Sequence, residues 1–338
     1  MLTNLQLLIL QLTVNDFIES AQPVGSRQLS KKPEAPFSPA TIRNEMADLE
    51  ELGFLEKTHS SSGRIPSEKG YRYYVDHLMQ PVQLKQSDRH TVRSLFEQKV
   101  TESEELIRKT ATILSDLTTY TSILLGPDTS SHTIKRFAVV PLTEREAVAI
   151  IVTESGRVEN KLIHLPPNFS VYELEKMVNI LNDRLIGTPI NQLQFKLATE
   201  VYALLKEHVQ SADELYLRLN EAMVIQAEEK LFFGGKLNMM KQPEFHDLHK
   251  IEVLFNLMDK DTPSNIFFQG ATTGIQISIG SENNHDAMED CSIISADYDA
   301  GGNSTGKIAI IGPKRMDYGR VITVLDTMSK LLSSQFKK

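Results

Sequence analysis

The sequence predicts a mixed α+β protein, and three patterns lead to that prediction. Apolar residues recur at helical intervals near the amino terminus, alternate as in strands over residues 136–164, and return to strand patterns over residues 274–311. A largely helical block over residues 191–260 separates the two groups of strands. An α+β domain with a helical insertion fits this order, as does a separate middle domain, and the pattern alone does not choose between them.

Composition limits what kind of protein this is. The chain has 338 residues, 41% of them hydrophobic, so two or three domains are expected. Cys291 is the single cysteine and no apolar run is long enough to cross a bilayer, which favours a cytoplasmic protein without disulfides or thiolate metal sites. Because the net charge is −8, any DNA contact must come from a locally basic face.

Capping residues mark helix starts along the chain. Thr3 and Gln6 have the spacing of a capping box and precede apolar residues at helical intervals, and Ser170 repeats that spacing with Glu173. After the first helix, a Pro/Gly break is followed by residues 26–31, which are long enough for a short second helix. A core-facing helix and a short second helix are therefore expected at the amino terminus.

A third helix is predicted from Ser38 to a stop at Gly53. Ser38 followed by proline is a strong helix start, and glycine is common just past a helix end. On its outer face, Arg43 and Asn44 have the side chains that pair with guanine and adenine edges in a major groove. The acids lie toward the far end, away from a groove entered amino terminus first. The expected buried stripe is Ile42, Met46, Leu49 and Leu52.

A hairpin and a fourth helix follow. Residues 54–67 form two short strand-like stretches around a Ser/Gly tip, with Arg64 beside the tip, in reach of a phosphate or the minor groove. Ser67 begins the fourth helix, and Lys69 and Arg72 lie off its apolar face. Three helices and a hairpin predict a winged helix-turn-helix, a DNA-binding fold that also serves in protein-interaction modules.

The stretch from Ser38 to Tyr74 strongly resembles the HrcA family of bacterial heat-inducible transcription repressors, and looks most like the Bacillus-type members. The run V-G-S-R-Q-L-S, residues 230–245 and residues 308–318 are similar to the same family, so the resemblance covers essentially the whole chain. It implies a winged helix, a GAF-like α+β domain and a largely helical dimerisation domain inserted into the latter. The implied bounds are 1–80 for the winged helix, 81–190 and 273–338 for the GAF-like domain, and 191–272 for the insertion.

The resemblance also implies a function and partners. The family binds, as a dimer, an inverted-repeat operator called CIRCE ahead of chaperone operons and blocks their transcription. The GroEL chaperonin keeps it active. Double-stranded DNA, GroEL and a second copy of the chain are therefore the expected partners, with no membrane contact. The expected DNA-binding residues are Ser26, Arg27, Ser38, Ala40, Thr41, Arg43, Asn44, Ala47, Arg64, Lys69 and Arg72.

Other functions explain the sequence less well. His246 and His249 lie three apart near acidic residues, but metal ligation needs a third ligand that the sequence does not place. No P-loop, G-x-G-x-x-G or G-x-S-x-G motif is present, so an enzyme is the least expected class and no cofactor is expected. Because GAF-like domains often hold small ligands, a metabolite-responsive regulator is the main alternative.

Overall fold

The computed structural model confirms the mixed α+β class. It describes residues 2–58, 63–80, 82–97, 103–127, 133–154, 156, 158–167, 169–223, 230–258, 262–268, 274–301 and 304–337. The helices are α1 (Asn4–Ser20), α2 (Ser26–Leu29), α3 (Pro39–Glu51), α4 (Glu68–Tyr73), α5 (Gln86–Glu97), α6 (Ser103–Thr118), α7 (Val171–Leu185), α8 (Leu193–Lys196), α9 (Tyr202–His208), α10 (Ala212–Ala222), α11 (Leu248–Leu257) and α12 (Tyr318–Phe336). The strands are β1 (Leu55–Lys57), β2 (Arg64–Pro66), β3 (Thr121–Leu125), β4 (Ile134–Pro141), β5 (Glu146–Thr153), β6 (Val158–His164), β7 (Leu231–Gly234), β8 (Gln276–Ile279), β9 (Cys291–Asp299) and β10 (Thr305–Pro313).

The predicted caps begin the helices as expected. Thr3 accepts a hydrogen bond from the Gln6 amide while the Gln6 side chain accepts one from the Thr3 amide, which completes a capping box. Ser170 and Glu173 form the same box at the start of α7. None of the helices in the described part of the chain has the length and apolar character needed to cross a membrane.

The described chain divides into two compact units. The first contains residues 1–126, 229–300 and 305–338, and the second contains residues 127–228 and 301–304. In the first unit, the Gly126 amide donates to the Lys230 carbonyl at 3.0 Å. The chain therefore leaves the first unit at the end of β3 and returns to it at the start of β7, the strand that pairs with β3. The inserted segment therefore includes β4, β5 and β6 and ends before β7, whereas the sequence analysis expected an insertion over 191–272.

The first unit is built on a five-stranded antiparallel sheet with the order β7-β3-β10-β9-β8. Alternating side chains of the sheet face two apolar clusters. Leu124 and Ile310 point to the cluster that contains α6 and α12, while Ile123 and Ile311 point to the cluster that contains α11. Both faces of the sheet are thus covered, which explains why β10 is buried over almost its whole length.

Residues 2–80, called the head below, share a core with the rest of the first unit, called the body. Leu10 and Ile42 in the head belong to the same buried cluster as Tyr318, Val321 and Leu325 of α12. The head is therefore packed on the body rather than joined to it only by a linker. Its hairpin pairs β1 with β2 in antiparallel register, and residues 59–62, which include the predicted Ser/Gly tip, lie outside the described residues.

The second unit contains a three-stranded antiparallel sheet with the order β4-β5-β6. One face of this sheet packs against the helices α7 to α10 through Phe137, Ala149 and Ile151, which are buried. The alternate residues of the same strands point away from that core, and many of them are apolar. The sheet therefore has one covered face and one open face.

Candidate nucleic-acid interface

The third helix of the head, α3, begins at the predicted cap. Ser38 accepts a hydrogen bond from the Thr41 amide at 3.1 Å, and its hydroxyl lies 2.9 Å from the Thr41 hydroxyl. Ile42, Met46 and Leu49 are buried as expected. The prediction for Leu52 is wrong: the helix ends at Glu51, and Leu52 turns outward with 48% of its surface exposed.

The outer face of α3 presents the side chains that were expected to contact DNA. Ala40, Arg43 and Asn44 are exposed, while Thr41 and Ala47 are half-buried. Among the described residues, neither Arg43 nor Asn44 has an ion pair or a side-chain hydrogen bond, so both side chains are available to a ligand. A helix also directs unpaired amides and partial positive charge outward at its amino terminus, which favours a phosphate there.

Helix α2 adds a second group of expected contacts and is held by an anchor that the sequence analysis missed. Arg27 is exposed and Ser26 is half-buried at the start of α2. Asp16, buried on α1, accepts from the Gln28 amide group at 2.7 Å and forms an ion pair with Lys32. An aspartate within the apolar pattern of α1 was the only sign of this anchor.

Arg64 lies on β2 with its guanidinium turned toward α3. Its Nε donates to Glu50 Oε2 at 2.6 Å, and its side chain is only 17% exposed. Its backbone also forms a bridge to Val24, which ties the hairpin to the segment before α2. The residue that was expected to act from the wing therefore connects the hairpin to the carboxyl-terminal end of α3.

The two basic residues of α4 also have partners within the chain. Lys69 donates to the Leu52 carbonyl at 2.8 Å and lies over the Phe54 ring, 4.4 Å from its centroid. Arg72 contacts the body: its Nε donates to Glu282 Oε1 at 2.9 Å, and its Nη2 donates to the Ile277 carbonyl at 2.7 Å. The hydrogen bonds that Arg72 donates to the Glu282 carboxylate raise the pKa of Arg72, so the guanidinium stays charged. The structure thus separates the free residues of α3 from the engaged residues of α4.

Comparison with known proteins identifies the family. The family model described as the HrcA protein C-terminal domain matches residues 104–322. The heat-inducible transcription repressor HrcA of Lysinibacillus sphaericus is 56% identical over 339 residues, covering 100% of this chain and 99% of that protein. This chain belongs to the HrcA family. The HrcA protein of Bacillus pumilus (strain SAFR-032) is 54% identical, covering 99% of this chain and 98% of that protein.

Membership of the HrcA family confirms the resemblance found in the sequence and makes the chain a transcription repressor of the heat-inducible class. These relatives also confirm the prediction of a regulator rather than an enzyme. A solved structure described as a hypothetical protein at 2.2 Å resolution shares the fold, with a TM-score of 0.62 and 24% identity over 99% of this chain and 97% of that chain.

Proposed function

We propose that this repressor acts in the cytoplasm as a homodimer that binds the CIRCE inverted repeat ahead of chaperone operons, with activity supported by GroEL. In this proposal the head is a winged helix-turn-helix and the body is the GAF-like domain. One observation carries the DNA-binding part: Arg43 and Asn44 are exposed on the amino-terminal half of α3 without partners among the described residues. They are the residue types that form paired hydrogen bonds with guanine and adenine.

The proposed orientation places α3 in a major groove with its amino terminus leading. Exposed Ala40 and half-buried Ala47 leave room for a base edge or backbone to come close. Ser38 and Thr41 lie at the helix start, where hydroxyl and amide groups suit a phosphate. Asp48 and Glu51 lie in the last turn, away from the groove floor. This orientation assigns base contacts to the middle of α3 and phosphate contacts to its start.

Whether a basic residue is proposed to contact a phosphate depends on whether its side chain is already bound within the described part of the chain. Arg27 on α2 is exposed and suits a backbone phosphate beside the groove. In this proposal, Arg64 contacts a phosphate by giving up its ion pair with Glu50. Lys69 and Arg72 were expected to contact DNA, but we now assign them to holding α3 and the body, because both are hydrogen-bonded within the chain.

Dimerisation is proposed through the open face of the second unit's sheet. The register places Val140, Val148 and Leu162 side by side across the three strands. Neighbouring cross-strand rows on the same face of the sheet contribute Ile150 and other apolar residues. Contiguous exposed apolar surface of this kind marks an interaction site, and a twofold dimer uses the same patch on both copies. Before assembly, the same face offers apolar surface to a chaperonin, which supports GroEL as the partner.

A matched pair of substitutions tests the dimer surface. Leu162 on the open face is 52% exposed and Leu217 on α10 is 59% exposed, so both substitutions place a charge at an already exposed position. Leu162→Asp should give a monomer by sedimentation velocity and weaken operator binding, whereas Leu217→Asp should remain a dimer. A dimeric Leu162→Asp protein would move the interface to another surface.

The test of the function is binding to a labelled chaperone-operon inverted repeat and to a scrambled duplex at two salt concentrations. Affinity should fall with salt for both duplexes because phosphate contacts release counterions. The repeat should be preferred, and GroEL should increase the fraction of active repressor. Equal weak binding to both duplexes, with or without GroEL, would contradict the proposal and favour a protein-interaction role for the head.

A further inference from the structure

The head is fixed to the body by polar contacts that begin on α4. Arg72 holds both carboxylate oxygens of Glu282, which lies 210 residues later in the chain, and also donates to the Ile277 carbonyl. Glu282 in turn accepts from the Ile279 amide at 2.8 Å, which fixes the carboxylate in place. Two parallel hydrogen bonds between a guanidinium and a carboxylate define an orientation as well as a distance.

A second contact lies one turn away on the same helix. Glu68 accepts from the Ser281 hydroxyl at 2.7 Å and from Lys314 Nζ at 3.1 Å. Gly280 lies opposite this carboxylate with a φ of +57°, and a Cβ there would overlap with Glu68 Oε1. A side chain at position 280 would force Glu68 to shift, so the glycine leaves room for this carboxylate beside α4.

A third contact holds the end of α1. Arg315, held by Gln242 and Glu244 in the body, donates to the Ile18 carbonyl at 3.3 Å. Between the polar contacts, the fully packed Tyr71 ring lies 6.1 Å from that of Tyr318. Contacts at α4 and at the end of α1 resist rotation of the head about any single one of them.

We infer that Arg72 and Glu282 are positioning residues that set the distance between the two recognition helices of the dimer, and thereby the spacer length accepted between operator half-sites. This inference rests on the proposed binding of an inverted repeat by a dimer. In such dimers the half-site spacing follows from where the assembly holds the two recognition helices, so a loosely held head tolerates other spacings. Arg72 and Glu282 act through the head's orientation and do not touch DNA.

The experiment compares full-length wild type, Arg72→Lys and Glu282→Gln on four duplexes: a single half-site, the natural inverted repeat, a repeat with two base pairs added to the spacer, and a repeat with two base pairs removed from it. Arg72→Lys keeps a charge that could meet a phosphate but loses the two-pronged contact. Arg218→Lys is the matched control, because Arg218 forms an exposed ion pair with Glu221 on α10. Inter-head distances in the DNA-free dimer are measured in parallel with spin labels at position 31.

Wild type and Arg218→Lys should prefer the natural spacer by about tenfold or more. In Arg72→Lys and Glu282→Gln this preference should shrink to about threefold or less. Their affinity for the single half-site should stay within about twofold of the wild-type value, and the distribution of inter-head distances should broaden. An unchanged spacer preference and distance distribution would overturn the inference while leaving the operator proposal intact. Equal losses on all duplexes, half-site included, would also overturn it by making Arg72 a DNA contact. If wild type fails to distinguish repeat from scrambled DNA, both proposals fail.

Discussion

Helices α3 and α4 of the head look alike in the sequence and differ in what surrounds them. Each begins at a serine cap and carries at least one basic residue off its apolar face. Arg43 on α3 has no partner among the described residues, whereas Arg72 on α4 holds Glu282 and a backbone carbonyl. The comparison teaches that local sequence fixes the helix and its cap, while distant residues decide whether a basic side chain is free to meet DNA.

The largest expected difference is between Arg43→Ala and Arg72→Ala. Arg43→Ala should cost about 1–3 kcal/mol of operator binding and relax the preference at one base pair, because a paired contact with a base is lost. Arg72→Ala should change the affinity for a single half-site by less than about twofold. Fluorescence anisotropy on operators with single-base changes measures both, and similar losses in the two variants would erase the distinction between the helices.

The second difference concerns two expected phosphate contacts, Arg27 and Lys69. Arg27→Ala should weaken binding to all sequences by a few-fold and reduce the salt slope by about 1, because a phosphate contact is lost. Lys69→Ala should leave operator affinity nearly unchanged and lower the free energy of unfolding by about 0.5 kcal/mol, because Lys69 caps the end of α3. A reduced salt slope in Lys69→Ala would show that this lysine meets DNA after all.

A smaller effect tests whether Arg64 is withheld from DNA by Glu50. Glu50→Gln should strengthen binding to every duplex by roughly twofold to threefold and steepen the salt slope, because loss of the ion pair with Glu50 weakens the hold on the guanidinium and favours a phosphate contact. Glu51→Gln removes a neighbouring acid without freeing an arginine and serves as the control. Equal behaviour of the two variants would mean that only the overall charge changed.

The smallest expected effect is a pH dependence from Glu68. Burial alone would raise the pKa of this carboxyl, but the hydrogen bonds from Ser281 and Lys314 and the charge of Lys314 outweigh it and lower the pKa below its ordinary value of 4.5. The contact therefore stabilises the protein above about pH 4.5 and is lost as the pH falls through the lowered pKa. Glu68→Gln should lose about 1–2 °C less in Tm than wild type between about pH 5 and pH 3. Parallel plots of Tm against pH for the two proteins would show that Glu68 does not contribute to the pH dependence of stability.

Much of the fold followed from local patterns. The caps at Thr3, Ser38, Ser67 and Ser170 begin helices as predicted, because a cap is a contact between residues three apart. The strands predicted within residues 136–164 are present as β4, β5 and β6, which together begin two residues earlier, at Ile134, and end at His164. The exposure of Arg43 and Asn44 also followed, because helical spacing alone places Asn44 opposite Ile42 and Met46 and Arg43 on the flank of that outer face.

What the sequence did not predict depends on long-range pairing. Strands β3 and β7 are four or five residues long and lie within helical surroundings, so they carry little pattern of their own. Their pairing, with Leu125 opposite Leu231, places the ends of the insertion. The contact between Arg72 and Glu282 was missed for the same reason, because nothing near Arg72 indicates a carboxylate 210 residues away.

The most direct test of the account is to locate α3 on the operator. Burial raises the pKa of the Cys291 thiol to about 12, so a thiol-reactive iron–EDTA reagent should label only a cysteine introduced by Ala40→Cys. Bound to the inverted repeat, the labelled protein should cut the DNA within each half-site, centred on the major groove. A label attached through Lys330→Cys on α12 of the body should leave the half-sites uncut. Cutting from the body label, or none from position 40, would contradict recognition by α3.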